Sequence, residues 1–171
     1  MSTKIAVLLD ELVDEKEFIY PYYRLKEAGF ESVSIATEKR VFKSKYGMPL
    51  TPDMAIGDVT PAEFDGVVVP GGYAPDHLRR SPEILALVAA MNSKGKLVAM
   101  ICHAGWVGIS AGIVRGRTLT STATIRDDLV NAGAVWVDRP VVVDGNLVTS
   151  RSPADLQDFM PAVLKVLAGQ K

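Results

Sequence analysis

The chain has 171 residues, 48% of them hydrophobic, enough to bury one sizeable core and within the size of a single domain spanning residues 1–171. With 19 Lys and Arg against 20 Asp and Glu the net charge is −1, and the densest basic stretch (Lys39, Arg40, Lys43, Lys45) is interrupted by apolar residues, which argues against stable nucleic-acid binding. One cysteine excludes an intramolecular disulfide framework and a thiolate-rich zinc site, no stretch reaches the length of a membrane span, and the apolar run after Met1-Ser2-Thr3-Lys4 is too short for a signal peptide, so a cytoplasmic protein is expected.

Apolar runs of strand length alternate with helix-periodic stretches, the pattern of parallel strands joined by helical crossovers. Strands are predicted at Ile5–Leu9, Val33–Ala36, Gly66–Val69 and Leu97–Ile101, with helices at Glu17–Ala28 and Pro82–Asn92 that stop at Gly29 and near Gly95. Between them, Val41–Leu50 contains Gly47 and Pro49 and reads as a short hairpin excursion. Further helices are expected over Trp106–Val114 and Ile125–Asn131, the latter stopped by Gly133. Val141–Val143 and Leu147–Thr149 flank Asp144-Gly145-Asn146, a hairpin signal because Asp and Gly accept the positive φ of tight turns. Ser152-Pro153-Ala154-Asp155 then opens the last helix, with serine expected as its cap.

Cys102 stands where the apolar run Leu97–Ile101 meets His103-Ala104-Gly105, so a strand there turns sharply into a helix. A side chain on such a turn projects above the sheet beside free backbone N–H groups, which lower a thiol's pKa and bind anions. That position suits a nucleophile; it also suits a small core hydrophobe. Both histidines, His77 and His103, precede the region where hydrolases of the serine type carry theirs, so the partner of a nucleophilic Cys102 is the adjacent His103 or His77. Pro70-Gly71-Gly72 follows a strand at the sheet edge where ligands bind, and its glycines either let amides approach an oxyanion or merely serve a turn. Asp10, Glu11, Asp14, Glu15 and Glu17 cluster after the first strand, and one of these carboxyls, protonated by burial, could donate a hydrogen bond to a thiolate.

Read together, Ile19–Gly29, Phe64–Gly72, Ile101-Cys102-His103, Asp127–Gly133 and Val148–Leu156 resemble the ThiJ/PfpI superfamily over nearly the whole chain, most closely the PfpI-type intracellular cysteine proteases and their bacterial relatives reported as deglycases. The resemblance implies an α/β fold, a flavodoxin-like three-layer sandwich with a mostly parallel central sheet and a nucleophile elbow. It assigns Cys102 as nucleophile, His103 as the adjacent histidine and Glu17 as the buried acid touching the sulfur. Asp76 matches an acidic position that in PfpI-type oligomers reaches the histidine of a neighbouring subunit, where family proteases carry the longer glutamate. Gly71, Gly72 and the His103 amide match the anion site. Asp14 stands in place of a family glutamate near the first strand, Tyr73 in place of an arginine, Trp106 follows Ala104-Gly105 instead of glycine-proline, Met100 replaces a smaller residue, and Thr122-Ala123-Thr124 replaces tyrosine-proline-glycine. Asp14, Trp106 and Thr122 are thus expected to line a reshaped pocket. The function so implied is a stress-protective cysteine hydrolase, a homo-oligomer with no cofactor or metal, acting on glyoxal or methylglyoxal adducts or small peptides. The alternatives are a glutathione-independent glyoxalase and a redox sensor or chaperone working through oxidation of Cys102.

Overall fold

The computed structural model describes residues 3–170; Met1 and Ser2, where the signal-peptide reading starts, lie outside the described residues. In chain order the elements are β1 (Lys4–Leu8), α1 (Glu15–Glu27), β2 (Glu31–Ala36), the hairpin strands β3 (Phe42–Lys43) and β4 (Pro49–Leu50), β5 (Met54–Ala55), β6 (Gly66–Val69), α2 (Ala74–Leu78), α3 (Pro82–Ser93) and β7 (Leu97–Ile101). There follow α4 (Gly105–Ser110), β8 (Thr118–Leu119), α5 (Arg126–Asn131), β9 (Val135–Trp136), β10 (Val141–Asp144), β11 (Leu147–Ser150) and α6 (Leu156–Gly169).

Seven strands form one sheet in the order β10-β11-β7-β6-β1-β2-β5, parallel throughout except for the edge strand β10. Strands β1, β6 and β7 are continuous apolar runs because both their faces are covered. Helices α1 and α6 pack on each other and on β1, β2, β7 and β11, whereas α3 and α4 pack on each other and on β6 and β7, giving three layers. The register pairs Val7 with Val68 and Val69 with Met100, so β1, β6 and β7 end side by side. Their three following loops therefore meet at one edge of the sheet, the place where open α/β sheets hold ligands. The predicted hairpin excursion is β3 paired with β4, and the predicted Val141–Thr149 hairpin is β10 paired with β11. Among the described residues no helix is long and apolar enough to cross a membrane.

Three expectations are corrected. The helix after Cys102 does not run to Val114: it ends at Ser110, because Gly112 takes φ +72° and reverses the chain, its N–H donating to the Ile109 carbonyl and that of Ile113 to Gly108. Ile113 and Val114 are buried beyond that stop, so their hydrophobicity reflects the core and not a continuing helix. Ser152 does not cap the last helix with its side chain; Pro153–Asp155 form a 3₁₀ turn in which the Asp155 N–H donates to the Ser152 carbonyl, and α6 starts after it. Arg151 instead clamps the Asp155 carboxylate through Nε and Nη2 at 2.8 and 3.1 Å. Helix α1 begins two residues earlier than predicted, because Asp14 supplies the cap: its Oδ1 accepts from the N–H groups of Lys16 (3.1 Å) and Glu17 (3.4 Å).

Candidate active site

The extended backbone of β7 ends at Ile101, and Cys102 takes φ +61° before a 3₁₀ turn leads into α4. A left-handed conformation costs a residue with a Cβ roughly 1–2 kcal/mol, and the strain lifts the sulfur out of the strand's pleat toward the loops beside it. Among the described non-glycine residues only Leu12, on the loop after β1, shares a positive φ (+60°). Met100, two residues before the cysteine, is accommodated from behind: its Sδ and Cε lie where a Cβ on Gly108 would sit, at 2.9 and 2.8 Å.

Three segments converge on the sulfur. From α1, Glu17 is fully buried; its Oε2 accepts from the Gly71 N–H at 2.7 Å, Oε1 has no nitrogen or oxygen partner among the described residues, and the carboxyl also bonds the Cys102 thiol. From the loop after β6, Gly71 and Gly72 leave room that no other residue would. A Cβ on Gly71 would lie 2.5 Å from Glu17 Oε2 and 2.7 Å from Cys102 Cβ. Gly72 has φ +72° and bridges Val13 on the first loop, with the Tyr73 N–H donating to the Leu12 carbonyl at 2.9 Å. From the elbow itself, His103 folds back so that Nδ1 lies 3.2 Å from Sγ.

Burial pushes Glu17 up to about 8, with the Asp14 charge as the second cause. Burial also pushes the Cys102 thiol up to about 12, helped by the charge on Glu17, while the amides of His103 and Gly72 draw it down. These two shifts are linked: a proton on Glu17 removes the second of the causes that raise the thiol, leaving burial and the Asp14 charge. An anion on sulfur then faces two amides and a carboxylic O–H, whereas a carboxylate at Glu17 accepts from the Gly71 amide and the Cys102 thiol. His103 is held below its usual range by burial and by the Lys45 ammonium, so its imidazole is neutral near pH 7.

The expected site residues divide as follows. Cys102, His103, Glu17, Gly71, Gly72 and Asp14 come together at the sheet edge. The Gly71 N–H is engaged by Glu17, however, so the amides aimed at the reacting centre are those of Gly72 and His103. Asp14 caps α1 and pairs with Lys45 at 3.7 Å. Trp106 stands with its ring 5.2 Å from that of His103 and its Nε1 donating to Asp128 at 2.8 Å. The Thr122 N–H reaches the Cys102 carbonyl at 3.3 Å. Asp76, on α2, is bonded to Arg80 and not to His103 within one chain. Sequence reasoning overlooked two residues. Thr124 holds His103 Nε2 at 3.2 Å, fixing the ring from its far side, and the hydroxyl-rich run Thr120–Thr124 was the available signal. Lys45 reaches the site from the β3–β4 hairpin and carried no signal at all.

The model of the DJ-1/PfpI family matches residues 3–166. A protein of Pyrococcus furiosus named Deglycase PfpI is 44% identical over 164 residues, covering 96% of this chain and 99% of its own. Protein/nucleic acid deglycase 2 of Escherichia coli is 41% identical over 170 residues, covering 98% of this chain and 99% of its own. A crystal structure from Anabaena variabilis, a two-domain protein with DJ-1/ThiJ/PfpI-like and ferritin-like domains, superposes with a TM-score of 0.95 at 41% identity over 98% of this chain; the chain spans about half (48%) of that longer one.

Proposed function

The chain belongs to the DJ-1/PfpI family, and from that premise we propose that it is a cysteine-dependent deglycase, removing methylglyoxal and glyoxal from the amines and thiols to which they have added. The observation that supports this reading best is the strained Cys102 held against a fully buried Glu17 and flanked by the amides of Gly72 and His103. That arrangement suits a compact electrophile approaching the sheet edge, and it is shaped for an oxyanion at the attacked carbon.

In the proposed cycle the Cys102 thiolate displaces the amine or thiol from the carbinol carbon of the adduct, and His103, neutral and 3.2 Å from the sulfur, carries the proton moves. A proton then passes from that carbon to the adjacent carbonyl carbon, converting the sulfur-bound hemithioacetal into a thioester. Water cleaves the thioester. For a methylglyoxal adduct the sum is adduct plus water giving free amine plus lactate, which needs no external oxidant or reductant. Free methylglyoxal entering the same cycle gives lactate directly. A side-by-side assay decides the reading: lactate and free amine released from a methylglyoxal-treated amino acid faster than any peptide is cleaved is the expected result. Release no faster than the spontaneous rate, with Cys102 readily oxidised to the sulfinate, would replace it by the redox-sensor reading.

We extend the proposal to assembly. Asp76 acts, in this reading, on His103 of a neighbouring protomer in a homo-oligomer. Mixing Cys102→Ala and Asp76→Ala protomers under conditions where subunits exchange is then expected to recover part of the wild-type turnover, because some interfaces pair an intact acid with an intact thiol. Full activity of Asp76→Ala alone would restrict the site to one chain, with Thr124 as the partner of His103.

A further inference from the structure

Lys45 has a defined place at the site that the chemistry above does not use. The β3–β4 hairpin is tied to the first loop by two backbone bonds, Leu12 N–H to the Lys43 carbonyl at 2.7 Å and Lys45 N–H to the Val13 carbonyl at 2.8 Å. Glu15, at the start of α1, holds the same hairpin through the Ser44 hydroxyl and the Tyr46 N–H. The hairpin so anchored delivers the Lys45 ammonium to 3.7 Å from Asp14 Oδ2, near enough to Cys102 for the two to interact electrostatically. The pairing is loose and monodentate, since Asp14 Oδ1 is occupied by the cap of α1, and the lysine side chain is 50% exposed. An ammonium has three donors; Asp14 and the Tyr46 side chain engage Lys45, which leaves one donor for a ligand. Its charge acts on Cys102, Glu17 and His103. Set against the Lys45 charge are the Asp14 carboxylate and, once it forms, the Cys102 thiolate, and both repel an anion.

We propose that Lys45 is a specificity residue that admits anionic substrates: adducts carrying a carboxylate a few atoms from the reacting carbon, as in glycated free amino acids and small acidic thiols. The assignment deepens the deglycase reading and takes its substrate class from it. The preference itself, however, belongs to the pocket and is measurable without turnover.

Cys102 is the sole cysteine, so its alkylation is read without background. The ratio of its rates with iodoacetate and iodoacetamide compares an anionic with a neutral reagent of nearly equal size. Both draw on the same thiolate, so any change in thiol pKa cancels. Lys45→Gln is expected to lower this ratio about tenfold, the worth of one charge-assisted hydrogen bond. Lys45→Arg should keep it. Asp14→Asn, which retains a capping side chain, should raise it by freeing the ammonium. In the wild type the ratio should fall with added salt over the range where the Debye length shrinks below about 10 Å, and in Lys45→Gln it should not. An unchanged ratio in Lys45→Gln overturns the proposal, whether or not adducts are turned over. Conversely, absence of turnover with the ratio shifted as expected removes the deglycase reading and leaves the anion preference standing. Where turnover is present, the methylglyoxal hemithioacetal of N-acetylcysteine should be favoured over that of its amide, and Lys45→Gln should bring the two together.

Discussion

Cys102→Ala is expected to reduce adduct release by at least about a thousandfold, since no other group can form the covalent intermediate, and the substitutions at Glu17 are expected to separate the acid's two contributions. Glu17→Gln keeps a donor beside the sulfur and removes an ionisable group; Glu17→Ala leaves the buried thiolate with the Gly72 and His103 amides alone. Alkylation by iodoacetamide as a function of pH should therefore show a midpoint for Glu17→Gln at or below that of the wild type, and one for Glu17→Ala above it. Superimposable curves for wild type and Glu17→Ala would remove Glu17 from the site. Stability supplies a second readout with a definite sign. Glu17 ionises near the ordinary glutamate value of 4.5 in the unfolded chain and at about 8 in the folded one, so the folded state holds the extra proton between those values. Its contribution is complete below about pH 4.5 and falls as the pH climbs through about 8, by an amount on the order of 3–5 kcal/mol. Urea denaturation at pH 5 and pH 8 should show that decline in the wild type and a much flatter profile in Glu17→Gln.

The two adjacent glycines are expected to fail in different ways when replaced by alanine. At Gly72 the positive φ penalises any Cβ, and the new methyl would lie 2.4 Å from the Leu12 carbonyl oxygen and 2.5 Å from the Asp14 nitrogen, backbone atoms of a loop that is itself bonded to the hairpin. Strain plus overpacking places the cost at roughly 2–5 kcal/mol, visible as a lower urea midpoint. At Gly71 the φ is ordinary and the methyl meets Glu17 Oε2, Cys102 Cβ and, at 3.0 Å, the Ile101 carbonyl. The clash falls on the catalytic pair itself. Gly71→Ala should therefore lose at least about a hundredfold in turnover, because displacement of the reacting groups by about an ångström has that effect, with a smaller loss of stability than Gly72→Ala. Equal losses in both measurements for the two variants would contradict these separate roles.

The contrast also shows what was legible in the sequence. Strands β1, β6 and β7 announced themselves as apolar runs because each is covered on both faces, and the turn from Ile101 into Gly105 betrayed the elbow through the change from bulky to small residues. The far end of α4 was not legible, since Ile113 and Val114 extend the hydrophobic pattern while Gly112 ends the helix between. Glu17 was one carboxylate among five by composition; only the resemblance singled it out, and burial, with the Asp14 charge second, explains its raised pKa. Thr124 and Lys45 escaped because their proximity to Cys102 is created by loop backbone, with no periodicity to register it. Gly71 was read as an amide donor to the reacting anion, yet its N–H serves Glu17, a distinction that depends on one hydrogen bond's direction.

The loops around the sulfur are joined chiefly by main chain: Val13 to Gly72, Tyr73 to Leu12, Leu12 to Lys43 and Lys45 to Val13. Apart from Gly72, where only glycine fits, such joints are made by backbone atoms whatever side chain the linked residue carries. Tyr73, 63% exposed, consequently stands as an interchangeable attachment on a fixed frame, and Leu12, 39% exposed, as one limited to residues that tolerate its φ of +60°. The frame is thereby evolvable: a saturation library at those two positions can retune what enters the pocket without disturbing the groups that react, so that new selectivities are reachable by single substitutions from a folded, active ancestor.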